Sequence, residues 1–152
     1  MYTLYREQYV AATLASAWDL LKNPANLNLI TPEDLQFKIV SPVPQVMFNG
    51  LIIEYRIRIP WFGVHTWIAE IKHIRETHSF VDEQRLGPYT FWYHYHQIDA
   101  EESRIKLIDK VYYKVPFGIF GQIIHFFFIR KTLKRIFDYR KEKLAELLTI
   151  KS

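Results

Sequence analysis

The chain contains no cysteine, which excludes disulfides, thiolate metal sites and cysteine nucleophiles and fits a reducing compartment. No stretch reaches the ~18 continuous apolar residues of a membrane-spanning helix. The nearest, Phe117 to Ile129, is short and holds Gln122 and His125. Met1 to Val10 lacks a basic region followed by a long apolar run, so no secretory signal is read there and a cytoplasmic location is expected. The sequence shows no internal repeat, low-complexity tract or linker. It also lacks a glycine-rich phosphate loop and a serine-centred nucleophile elbow, which removes common signatures of nucleotide binding and of hydrolase chemistry.

What remains is an aromatic-rich chain. Its 152 residues suit one domain, expected over 1–152, and a domain of this size buries roughly 68–70% of its unfolded surface, enough for a core without staples. Aromatic residues make up 16%, which favours thick strands or a large apolar cavity. The net charge of +4 reads as a solvated basic surface. Nucleic-acid binding needs focused charge. Here the basic face of the C-terminal segment is diluted by Asp138, Glu142 and Glu146, so no nucleic-acid partner is expected.

Periodicity orders the chain. Tyr2 to Val10 is predicted as a strand, followed by a helix from Thr13, a plausible N-cap, to Leu21. Pro24 stops that helix, Ala25 to Thr31 forms a second short helix or turn, and Leu35 to Val40 is a candidate strand before Pro42 and Pro44. A series of strands follows. In Leu51 to Ile59 the residues Leu51, Ile53, Tyr55, Ile57 and Ile59 alternate with Glu54, Arg56 and Arg58. Trp67 to Ile74, Ser79 to Arg85, Tyr89 to Ile98 and Arg104 to Val115 are the next strands. The last has Ile105, Leu107, Asp109, Val111, Tyr113 and Val115 on one face. A helix from about Gly121 to Leu148 closes the chain, with Ile129, Leu133, Ile136, Phe137, Leu144 and Leu147 as its apolar stripe. This order predicts an α+β layer design, a curved antiparallel sheet with the long helix over its concave face.

The hairpin Phe80 to His96 is the most informative segment. Side chains alternate along a strand, so Phe80, Asp82 and Gln84 share one face, and Trp92, His94 and His96 share another. If these faces point inward, acid, amide and imidazoles enter the interior beside an indole, at a cost unless paired with one another, water or a ligand. In a simple meander, Asp82, Gln84, His94, His96 and Asp109 lie on adjacent strands about 5 Å apart. A contiguous cluster is expected, with at least one histidine bonded to a carboxylate.

The order of elements, with Asn26 to Pro32, Trp67 to Ile71, the Phe80 to His96 hairpin, Asp109 to Gly118 and Ile136 to Arg140, resembles the START-like superfamily called SRPBCC. The resemblance runs to its polyketide cyclase/dehydrase-like and ligand-binding members. It implies a helix-grip fold: a strongly curved antiparallel sheet wrapped around a long C-terminal helix, with an internal cavity between them. It brings no agreed reaction and demands neither metal nor cofactor, and none is expected.

Three readings of the cluster stand side by side. It is a hydrogen-bonded structural network, or the polar end of a ligand cavity with apolar walls, or acid/base equipment near neutral pH. For the cavity reading the expected contacts are Asp82, Gln84, Trp92, His94, His96, Asp109, Tyr55 and Phe137. For the catalytic reading the candidates are His94, His96, Asp82 and Asp109. Two histidines with a carboxylate could ligate zinc or iron, but histidine pairs of this kind on one strand are more often not ligands. The first functional expectation is therefore non-enzymatic binding of a small hydrophobic or amphipathic molecule: a lipid, a polyketide-like aromatic or an isoprenoid. The second is a cyclase, dehydratase or hydrolase acting on such a molecule. The third is a membrane-surface or partner-binding module built on the basic helix and the Phe117 to Ile129 segment. Pro116 to Gly121, with Phe126, Phe127 and Phe128, reads either as a lid over the cavity mouth or as core. Trp61-Phe62-Gly63 reads as an exposed hairpin tip, Trp18 as core, and His65, His73, His78 and His125 receive no role.

Overall fold

A computed structural model describes residues 1–60 and 62–149. Seven strands form one antiparallel sheet: β1 (Tyr2–Val10), β2 (Lys38–Ile39), β3 (Leu51–Ile59), β4 (Gly63–Arg75), β5 (Ser79–Leu86), β6 (Phe91–Glu101) and β7 (Arg104–Lys114). Their spatial order is β1-β7-β6-β5-β4-β3-β2, so β2 to β7 run as a meander and only β1 pairs out of sequence. Helix α1 (Leu14–Leu21) and two 3-10 turns (Pro24–Asn28 and Glu33–Leu35) connect β1 to β2. The C-terminal helix runs from α2 (Gly118–Ile124) through a π turn (His125–Ile129) into α3 (Arg130–Leu148).

Local chemistry accounts for the boundaries. Thr13 caps α1 through a reciprocal capping box with Ser16, which satisfies two backbone donors of the first turn. The expected strand Leu35–Val40 shrinks to Lys38–Ile39, because Glu33–Leu35 forms a 3-10 turn and Gln36 ends it in the left-handed region at φ 44°. Strand β4 is longer than expected. Register shifts at Ile68/Ala69 and Lys72/Arg75 mark bulges, which increase local twist and bend a sheet.

The core lies between the concave face and α3. Leu51, Ile53 and Tyr55 of β3, Trp67, Ala69 and Ile71 of β4, and Ile105, Leu107, Val111 and Tyr113 of β7 are buried there, as is Trp18 of α1. Helix α3 buries Leu133, Phe137, Arg140, Leu144 and Leu148. The expected Leu147 is instead exposed. Leu148 lies four residues beyond Leu144 and continues the stripe, while Leu147 falls on its shoulder. Buried positions upstream, Gly121, His125 and Leu133, are spaced by multiples of four. That spacing drifts around a 3.6-residue helix, and the wider π turn takes up the drift. A Cβ on Gly121 would run into the carbonyl of Pro116, so this turn needs glycine.

No helix among the described residues is long and apolar enough to cross a membrane. The segment Phe117–Phe128 is not core: Phe117, Ile119, Phe120, Phe126 and Phe127 are exposed. Phe62 is exposed beside the β3–β4 turn, while Trp61 of the expected tip lies outside the described residues.

Candidate functional site

Between the sheet and α3 lies a cavity of about 180 Å³. Ile53, Tyr55 and Ile57 of β3, Trp67 of β4, Leu133, Ile136 and Phe137 of α3, and Leu27 and Ile30 beyond α1 form its apolar walls. Tyr55 stacks on Trp67 with ring centres 5.9 Å apart, and Trp92 meets Trp67 edge-on at 5.2 Å. Asp82, His94, His96 and Arg140 bring ionisable side chains to its lining.

Strand register assembles that group. Asp82 faces His94 across β5–β6, and His96 faces Asp109 across β6–β7. The two imidazoles lie with ring centres 3.7 Å apart. His94 Nε2–H donates to Asp109 Oδ1 at 2.7 Å. Arg140 Nε stands 3.5 Å from Asp109 Oδ2, and its Nη2 donates to His96 Nδ1 at 3.3 Å. Nδ1 of His96 is also 3.1 Å from Asp109 Oδ1. As an acceptor from Arg140, that nitrogen carries no proton, which puts the proton of a neutral ring on Nε2. Asp109 does not border the cavity; it lies behind the histidines and orients them.

The electrostatics divide the two acids. Burial alone would raise the Asp109 carboxyl, but Arg140 and the hydrogen bond from His94 hold it well below the ordinary carboxylate range. Burial raises Asp82, opposed incompletely by His94 and Arg140. Burial, assisted by His94 and Arg140, lowers His96 to about 3 against the pull of Asp109. The pocket floor therefore pairs an ionised acid behind the histidines with an acid biased towards its neutral form in front of them.

Three buried polar atoms at the cavity residues lack a hydrogen bond, but Arg140 Nε has the Asp109 carboxylate as its ion-pair partner at 3.5 Å, which leaves two that stand out. Asp82 Oδ1 and Trp67 Nε1 have no hydrogen-bond partner among the described residues. Gln84 shares the face of Asp82 but is used elsewhere: its Nε2 donates to the Tyr89 carbonyl at 2.6 Å, and its Oε1 accepts from the Tyr89 amide at 3.3 Å. Gly87 leaves room for this amide, since a Cβ there would stand 2.5 Å from Gln84 Oε1. Gln84 thus holds the β5–β6 turn. The donor atoms of His94, His96 and Asp109 lie within 4.8 Å of one another and could surround a metal ion. The guanidinium on Asp109 disfavours that use, because a cation already occupies the carboxylate's second oxygen.

Arg140 and Trp67 were not among the expected site residues. Arg140 does carry a sequence signal: it falls three residues after Phe137 and four before Leu144, on the buried stripe. His125, which received no role, is buried. Its Nε2 pairs with the Tyr113 hydroxyl at 2.8 Å, and its ring stacks on Tyr2 at 3.6 Å.

No family model matches the chain, and no curated protein matches it. Solved structures do. A START superfamily protein from Mycobacterium smegmatis aligns over 97% of this chain and 99% of its own, at TM-score 0.65 and 11% identity. The fold is the START-like helix-grip. The same helix-grip architecture is present in a major latex-like protein from Panax ginseng, with 97% of each chain covered, TM-score 0.68 and 11% identity. A norcoclaurine synthase point mutant from Thalictrum flavum, solved with a transition-state analogue, covers 95% of this chain and 94% of its own at TM-score 0.63 and 14% identity. Helix-grip proteins thus include enzymes, and at these identities the likeness carries the fold alone.

Proposed function

We propose that the chain binds a small, mostly apolar molecule whose polar end meets Asp82 and Trp67. The observation that carries this reading is the pair of orphaned buried polar atoms, Asp82 Oδ1 and Trp67 Nε1, on residues lining a cavity with aromatic and aliphatic walls. A buried polar group left unpaired costs about 1–3 kcal/mol, and a ligand oxygen or hydroxyl at this end offsets that cost. Size narrows the class. A cavity of about 180 Å³ is on the scale of the roughly 150 Å³ apolar cavity that takes up benzene. It suits a ring system or a short isoprenoid in preference to a two-chain lipid. Native mass spectrometry of protein purified from its own host, followed by extraction of any bound compound, tests the reading. An added mass that Asp82→Asn weakens supports it; ligand-free protein that takes up no apolar ring compound on titration refutes it.

A second reading is supported by one further contact. His94, bordering the cavity, is held by Asp109 at 2.7 Å, an arrangement suited to general-base catalysis in a cyclase, dehydratase or hydrolase. Once a ligand is known, His94→Ala separates the two readings: loss of turnover with binding retained supports catalysis, and unaltered chemistry refutes it.

A further inference from the structure

We propose that the face formed by residues 117–128 docks on an anionic lipid bilayer. Six of its side chains, Phe117, Ile119, Phe120, Ile123, Phe126 and Phe127, are each 51–76% exposed. Contiguous apolar surface of this kind is uncommon on a chain that works alone in water. It is not core that failed to pack. The π turn buries only His125, bonded to Tyr113 and stacked on Tyr2, and turns the three phenylalanines that follow it outwards.

The charge around this face selects its partner. From Asp109 to Asp138 the sequence contains no intervening acid but six bases: Lys110, Lys114, Arg130, Lys131, Lys134 and Arg135. Lys134 and Arg135 are paired with Asp138 and Asp34. Lys114, Arg130 and Lys131, which flank the apolar segment, are exposed and have no acidic partner among the described residues. The opposite end of the sheet carries Glu76 at the β4–β5 turn and Glu101 and Glu102 at the β6–β7 turn. Arg75 and Arg104 stand beside these acids, Arg104 paired with Glu101, so that end is of mixed charge while the apolar end carries bases without acids. Such a field orients the apolar end towards a negative surface. Aromatic side chains flanked by Lys and Arg are the composition of helices that lie in a bilayer interface. One turn further on, Thr132, Leu133 and Ile136 line the cavity, so docked face and cavity wall belong to one helix.

Vesicle co-sedimentation tests this. Vesicles of phosphatidylcholine and phosphatidylglycerol in equal parts should bind the protein, phosphatidylcholine vesicles should bind it more weakly, and salt should weaken the anionic case. Phe120→Ser with Phe126→Ser should lower binding about tenfold or more. Arg130→Glu with Lys131→Glu should lower binding to the anionic vesicles by at least about fivefold per residue, while leaving the phosphatidylcholine baseline in place. The charge variant keeps the test decisive if the phenylalanine variant folds poorly. No vesicle binding by folded protein overturns the proposal, as does binding that both variants leave unchanged. A dimer in light scattering that the phenylalanine variant converts to monomer would assign the face to a second copy of the chain.

Discussion

Replacing Arg140 with methionine keeps most of the side-chain volume and removes the charge that holds Asp109 ionised. Arg140 is only 8% exposed, and its guanidinium contacts both Asp109 Oδ2 and His96 Nδ1. Without it, a buried carboxylate is left with imidazole partners alone. Removing one member of a buried ion pair costs about 3–5 kcal/mol, and the lower end applies here because His94 still donates to Asp109. A loss of ~3 kcal/mol corresponds to ~6–12 °C in melting temperature for a chain of this size. The cost should depend on pH with a definite sign. In the parent chain the depressed Asp109 pKa supplies stability above the unfolded carboxylate value, and that stability fades as pH falls through the folded value. In the variant, burial dominates and raises the same pKa, so acidification relieves the unpaired charge. The gap between variant and parent, followed by urea denaturation at a series of pH values, should narrow from pH 7 towards pH 4. Adding Asp109→Leu to Arg140→Met should recover part of the loss. A single-variant cost below about 1 kcal/mol, or a double variant no more stable than the single, would refute the assignment of Arg140 as the counter-charge of the site.

His96 should make the protein acid-labile. Its folded pKa of about 3 lies below the unfolded value of 6.5, so the unfolded chain takes up the proton first and stability falls by about 1.4 kcal/mol per pH unit between those values. His96→Gln should flatten that slope in denaturant titrations, and an unchanged slope would count against a neutral buried imidazole. Asp82 has the opposite sign: burial raises its folded pKa, so it costs stability at neutral pH. Asp82→Asn should raise stability at pH 7, with the gain vanishing below the unfolded carboxylate pKa, a difference readable in thermal melts. Gly121→Ala should destabilise by about 2 kcal/mol or more, since its Cβ meets the rigid Pro116 carbonyl; a neutral melt would show that this turn yields easily.

The strands were readable because their alternation is strict. The Tyr2–Val10 and Leu51–Ile59 boundaries agree with the structure to the residue. The inward faces of β5, β6 and β7 also followed from period two, and with them the adjacency of Asp82, His94, His96 and Asp109. Where the signal was weak, other forces decided: a 3-10 turn displaced most of the Leu35–Val40 strand. Arg140 escaped notice because a charged residue on an apolar stripe is normally read as a break in it, whereas here its contact with the buried Asp109 makes it part of the core. Trp67 escaped notice because nothing in a sequence says which buried indole will lack a partner. The π turn was hidden too, since Phe126-Phe127-Phe128 has the same composition whether those rings face in or out.

The strand order also has a consequence for the route of folding. Six of the seven strands can zip together between neighbours in the chain, but β1 has only β7 to pair with, Tyr2 against Tyr113 and Val10 against Ile105. That pairing closes a loop containing α1 and the five strands β2 to β6, and long loops are closed late because their entropy is lost before any contact repays it. Strand β1 is thus the last of the seven to find its place. Until it docks, β7 presents an open edge, and His125 lacks the Tyr2 ring that stacks on it.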